Sequence, residues 1–296
     1  MNSLAIILVL FSALLHASWN FFIRGSKDPE LSNSVIHIFR GFIYLPIIFV
    51  YFLISEIPDL IGWIFIIGTS IIHILYFIFL GKSYKHGELS FVYPIARGLG
   101  IGLIPILGVT ILNEEINFLG LISIFSIFVG VLLVGGNKKS NIFLVFQSIQ
   151  GRQFLKSRAF VYSLLTGLTV SAYSVWDKQG VQYVDPLFYM SSMCLGSVVA
   201  GIGVYKYNYS HVSIKKILRE NFLRNSLGAL FSFLSYVLIL SALQISQVSL
   251  IAPMREIGVV IGAMFGWFFL REKLEKMRVI GIILIFFGTI IIVGLV

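Results

Sequence analysis

The stretch YPIARGLGIGLIPILGV, from Tyr93 to Val109, sets an arginine inside an apolar run that begins near Leu89 and continues to Leu112. At about 1.5 Å of rise per residue, that run places Arg97 roughly 12 Å into a hydrocarbon layer about 30 Å deep. A charge at that depth has to face protein or a water-filled cavity, which makes it a functional position by default. The arrangement returns 158 residues later, where Arg255, Gly258, Gly266 and Glu272 stand at the offset of Arg97, Gly100, Gly108 and Glu114. The chain therefore reads as two related halves, each with a charged membrane segment.

Composition agrees. Of 296 residues, 58% are hydrophobic and 12% charged, about half the charged share of a soluble domain, so the chain reads as a polytopic membrane protein. Leu4 to Phe22 has no basic residue before it and no small-residue cleavage site after it, and reads as a first membrane helix rather than a signal peptide. The single cysteine, Cys194, excludes an internal disulfide and a cysteine-built metal site. Polar punctuation divides the sequence into ten apolar stretches, at about 3–23, 32–55, 60–81, 89–112, 117–136, 159–180, 186–206, 223–243, 247–270 and 277–296. They are too long and too uniformly apolar for barrel strands, so the expected fold is an all-α membrane protein with ten transmembrane helices.

The net charge of +9 follows from topology rather than nucleic acid. Eighteen of the 22 Lys and Arg residues lie in odd-numbered connections; the even-numbered ones hold only Lys178, and Arg40, Arg97 and Arg255 lie within stretches. By the positive-inside rule the odd connections are cytoplasmic and both termini face outward, in a cell (inner) membrane. Five helices per half is an odd number, so a second copy must lie upside down, and matched connections should carry opposite charge bias. The connection at 56–59 has no Lys or Arg and its counterpart at 206–224 has five; 113–116 has none and 271–278 has four. The expected organisation is a first repeat over 1–136, a cytoplasmic connection over 137–158 and an inverted second repeat over 159–296, around a central cavity of the kind secondary transporters use. Lys215, Lys216, Arg219 and Arg224 form a basic connection suited to anionic lipid heads.

The sequence resembles the ten-helix, EamA-type transporters of the drug/metabolite transporter superfamily. The resemblance rests on a fourth and a ninth helix rich in small residues, each closing on an acid (Leu112, Asn113, Glu114 and Leu270, Arg271, Glu272). A short helix follows each, with a glycine (Gly130, Gly288) sixteen residues further on. HASWN, His16 to Asn20, with YPIARG, Tyr93 to Gly98, is similar to a subset associated with phosphonate use. The resemblance implies two inverted repeats around a cavity and movement of small organic solutes, without naming one. Its members are often described with cytoplasmic termini, opposite to the orientation the charges give here.

The candidate substrate-binding residues are Arg97, Arg255, Trp19, Trp176, Tyr93, Tyr76, His16, Asn20, His73 and Arg40. Arg97 and Arg255 offer planar forks of donors to carboxylate or phosphonate oxygens. The alternative for Arg255 is an internal ion pair with Asp177 or Glu256, the two acids that could instead meet an ammonium group or carry a coupling proton. Trp19 and Trp176, 157 residues apart, read either as aromatic walls or as interfacial anchors. His16 and Asn20 share a helix face, but no second ligand pair completes a metal site. Depth assigns His16, Arg40, His73 and Arg97 to an inner cluster and Asp177, Arg255 and Glu256 to an outer one, with the solute between them.

The leading expectation is an ATP-independent, alternating-access transporter of a small zwitterionic or anionic solute such as an amino acid. It needs no cofactor, with H+ as a possible coupling ion, and acts as a monomer or homodimer. An intramembrane enzyme using His16, His73 and Asp177, or a solute sensor with the same cavity, are the alternatives.

Overall fold

Backbone N–H and C=O groups find no water in a bilayer, so a spanning segment closes its hydrogen bonds within itself. The computed structural model follows this rule. It describes residues 2–24, 26, 28–86, 89–135, 157–210, 214–271 and 275–294. Twelve helices run in order among these: α1 (Ser3–Arg24), α2 (Pro29–Ile54), α3 (Leu60–His86), α4 (Leu89–Leu112), α5 (Phe118–Gly135), α6 (Arg158–Gly180), α7 (Pro186–Met193), α8 (Leu195–Asn208), α9 (Ile214–Ile245), α10 (Val248–Met254), α11 (Ile257–Leu270) and α12 (Lys276–Val293). Nine spans among the described residues are long and apolar enough to cross a membrane, and Phe118–Val134 is a shorter tenth. Large apolar side chains such as Phe42, Phe49, Leu53, Phe125 and Phe287 point outward, as they should toward lipid.

Two expected single helices are broken. The seventh stretch divides at Cys194 into α7 and α8, and the ninth divides at Arg255 and Glu256 into α10 and α11. Pro253 has no N–H to give to the Ser249 carbonyl, which weakens the turn leading into the break. The chain tightens there into bonds from Glu256 N to Pro253 O (3.0 Å), Gly258 N to Arg255 O (3.1 Å) and Val259 N to Glu256 O (2.8 Å). Each spans three residues instead of four, a pattern that marks hinges in the middle of helices.

Local features recur at the offset seen in the sequence. Asp28 caps α2 through Leu31 N and Asp185 caps α7 through Leu187 N and Phe188 N, each just before a proline at the first helical turn. Asn113 and Arg271, 158 apart, both take left-handed backbone, with φ of 53° and 54°, where the fourth and ninth spans end. Packing recurs as well. α3 lies on α6 and α1 on α9; α4 packs on α6 and α5, as α11 packs on α1 and α12. The α5–α12 and α2–α8 pairs join like members of the two halves.

The small residues of the fourth and ninth spans differ in whether they bring helices together. Gly100 does so against Val170, but a Cβ at Gly262 would meet nothing within 4 Å. The tightest backbone approach lies elsewhere, between α5 and α12. A Cβ on Gly130 would come within 2.7 Å of Gly281 O, and one on Gly288 within 2.8 Å of Ser123 O. Ser126 Oγ donates to Leu284 O (2.8 Å) across the same seam. Glu272 and most of the 137–158 connection lie outside the described residues.

Candidate functional site

Helices α4, α6, α9, α10 and α11 bring their polar residues to a shared interior. The break between α10 and α11 puts Arg255 and Glu256 there, as α4 puts Arg97. Arg97 Nη2 lies 2.8 Å from Glu256 Oε1. The Arg255 guanidinium stands over the Tyr236 ring, 5.4 Å from its centroid, and its Nε has no hydrogen-bond partner among the described residues. Glu256 Oε2 is likewise buried and unpartnered. These residues, with Tyr173, Ser174 and Tyr236, form the polar part of a cavity whose apolar wall includes Ile101, Ile104, Val170 and Ile251. Its water-accessible volume is about 30 Å³, room for roughly two waters. An organic solute would need this space to widen, and the 3₁₀ segment in one wall supplies a place to bend.

A second network adjoins the first through Tyr236. Asp177 is fully buried and accepts hydrogen bonds from Thr69 Oγ1 (2.6 Å), Tyr189 Oη (2.9 Å) and Tyr236 Oη (2.6 Å). His73 Nδ1 lies 2.9 Å from Thr69 O and 3.1 Å from Thr69 Oγ1, and its ring stacks on Tyr173 at 4.3 Å. Tyr76 meets Tyr173 edge to face at 5.9 Å. Burial of a carboxylate is tolerable here because hydroxyl donors replace its water.

The remaining candidates are spread around this centre. Arg40 donates from Nε to Ser232 Oγ (2.7 Å), meets His37 Nδ1 (3.0 Å) and lies 5.7 Å from the Trp19 ring centroid. Trp19 Nε1 donates to His16 Nδ1 (3.3 Å), and Asn20 Nδ2 donates to His16 O (2.7 Å). Trp176 stands apart from the central cavity, in an apolar groove with Phe65, Leu107 and Ile111, and donates to Phe65 O (2.9 Å). The Tyr93 side chain lies outside the described residues.

Among the described residues, those assigned to inner and outer clusters meet one another, with no solute space between them. Arg97 reaches Glu256 directly, while His73 and Asp177 share Thr69. The reason is reach. Two residues each about 12 Å in from opposite faces are separated by only about 6 Å of depth, which long side chains bridge. Nor, among the described residues, does Arg255 pair with either acid; Arg97 takes Glu256 instead.

The sequence reading also left Glu114 without a task. Its carboxylate accepts from Val248 N (2.8 Å), Ser249 N (2.9 Å) and the Ser249 hydroxyl, fastening the start of α10 to the end of α4. Lys178, the lone basic residue of the even connections, donates to Leu243 O (2.6 Å) and Ser246 O (2.9 Å). Two of the residues held this way, Leu243 and Val248, line the cavity. A distant capping residue has no local sequence signal, although the acid's recurrence after each small-residue helix marked it.

Comparison with known proteins fits this architecture. A family model described as "EamA-like transporter family" matches residues 157–294. The quaternary ammonium compound-resistance protein QacH of Staphylococcus saprophyticus is 34% identical over 98 residues, 29% of this chain and 92% of QacH. QacC of Staphylococcus aureus is 30% identical over 96 residues, 28% of this chain and 90% of QacC. A solved structure titled "Crystal structure of protein" superposes on all of this chain and 98% of its own, with a TM-score of 0.75 at 12% identity, a likeness of fold. With a second half that matches the EamA-like model, relatives covered almost end to end and an all-helical interior built around charged residues, the chain belongs to the drug/metabolite transporter superfamily, as a multi-pass membrane transporter of the EamA type.

Proposed function

We propose that this protein is a secondary transporter of a small anionic or zwitterionic organic solute, working by alternating access without ATP. The observation that carries this reading is the charge of the cavity. Arg97 is paired with Glu256, whereas the buried Nε of Arg255 has no partner among the described residues, leaving a cationic fork at the cavity wall for a carboxylate or phosphonate. Asp177, enclosed by three hydroxyls beside this wall, is the site for a coupling proton. Arg97 and Glu256 form a pair that can separate to admit solute as the cavity widens.

The halves act as inverted repeats that rock about this site, supported by the paired caps, the two left-handed residues and the self-matching helix contacts. In this reading the protein lies in the inner membrane with odd connections cytoplasmic and both termini outside. Proton coupling, and action as a monomer or homodimer, belong to the same proposal.

A second reading takes its support from the relatives, whose names refer to resistance to quaternary ammonium compounds. Asp177 beside Tyr236, Tyr173 and His73 resembles an acid-and-aromatic setting for an organic cation. It ranks second because Arg97 and Arg255 line the cavity and Asp177 is behind that wall.

Counterflow in proteoliposomes discriminates the two. A panel of amino acids, phosphonates and quaternary amines is expected to yield exchange of an anion or zwitterion, lowered about a hundredfold in Arg255→Ala. Exchange of quaternary amines alone would sustain the second reading, and no exchange by folded protein would remove both.

A further inference from the structure

We propose that the carrier moves one monoanionic solute together with one proton, with no net charge carried, and that Tyr236 is the positioning residue linking the two events. This rests on the transporter reading above, with Arg255 as anion site and Asp177 as proton site.

The juxtaposition that carries it is a single phenol. Its ring lies under the Arg255 guanidinium at 5.4 Å, while its hydroxyl donates to Asp177 Oδ2 at 2.6 Å. One tyrosine side chain thus separates the cation from the anion of the empty site. The groups that face Asp177 are Thr69 and His73 from α3, Tyr173 from its own helix α6, Tyr189 from α7, Tyr236 from α9 and Arg255 beyond it. Lys178, next in sequence, turns its ammonium to the carbonyls of Leu243 and Ser246. Arg97 is engaged by Glu256, and Arg40 sits in its own group with Trp19, His37 and Ser232, contributing the same charge in every state.

When a solute anion takes the Arg255 guanidinium at the cavity wall, it consumes the positive charge that faces Asp177. The carboxylate is then buried among hydroxyls with no cation opposite, and taking up a proton relieves that cost. The reverse holds by linkage: a neutral Asp177 leaves Arg255 uncompensated and improves it as an anion receptor. The empty form and the form holding both anion and proton carry the same net charge. Forms holding only one of the two leave a buried charge unanswered and are the costly ones to move. Coupling is therefore obligatory and electroneutral. A zwitterion would meet Asp177 with its own ammonium and bring no proton.

The experiment is uptake of radiolabelled methylphosphonate and pyruvate, as monoanions, and of alanine, as a zwitterion, into proteoliposomes of the full chain, with protein-free vesicles as control. For a carried monoanion, an inward gradient of about one pH unit should give about tenfold accumulation, unchanged by a potassium diffusion potential. In Asp177→Asn, a fixed neutral mimic, the ratio of gradient-driven accumulation to counterflow should collapse, because exchange no longer involves a proton. Tyr236→Phe keeps the ring under Arg255 and removes only the hydroxyl. Its gradient-driven accumulation should fall further than its counterflow, a division that mere structural damage would not produce. Accumulation that follows voltage, or counterflow indifferent to the proton gradient, overturns the proposal while leaving the transporter reading in place. So does alanine carried alone. No counterflow of any probe by folded protein overturns both.

Discussion

At the scale of single residues, Arg255 and Glu114 illustrate two kinds of buried charge. Arg255 holds an incomplete set of hydrogen bonds beside a cavity, so its contribution is expected in transport rather than in folding. Arg255→Ala should lower counterflow about a hundredfold, with Arg255→Lys restoring part of it because a point charge replaces the fork; monodisperse elution of both variants in detergent checks that the fold survives. Glu114 is the opposite, a carboxylate with three donors. Glu114→Ala leaves two backbone amides of α10 without their acceptor and should cost about 1–3 kcal/mol, read as a lower unfolding midpoint in detergent, with Glu114→Gln recovering part of it.

The α10–α11 break is the element on which movement of the site depends. Pro253 deletes one helical bond, and the next turns tighten instead of closing normally. Pro253→Ala should restore a continuous helix and slow counterflow without abolishing it, since the arginine remains but its hinge stiffens. The α5–α12 seam is a fixed joint by contrast. With backbone carbonyls rather than flexible side chains opposite, Gly130→Ala and Gly281→Ala should each destabilise the protein by about 1–3 kcal/mol, measured by thermal unfolding in detergent. Gly262→Ala, which has open space around it, should not.

For the whole molecule, the charge bias of the connections makes a topological prediction. After Cys194→Ala, single cysteines at 57 and 115 should react with an impermeant maleimide added outside cells, and one at 84 should not. The reverse pattern would turn the molecule over and put the termini inside, without altering the site, since the cavity is bounded by both halves.

The apolar spans and the two arginines within them were legible in the sequence because a bilayer imposes long apolar runs and makes every interruption conspicuous. Asn113 and Arg271, each between a leucine and a glutamate and 158 residues apart, share left-handed backbone where their spans end. What only the tertiary structure decided was which buried groups meet. Arg97 rather than Arg255 takes Glu256, Asp177 is enclosed by hydroxyls from three other helices, and Trp176 faces a separate groove. Hydropathy gives depth to within about a turn of helix but carries no information on rotation about the helix axis or on choice of neighbour. Those follow from packing, from glycines that admit a carbonyl, and from the reach of arginine and tyrosine side chains across a few ångströms of protein interior.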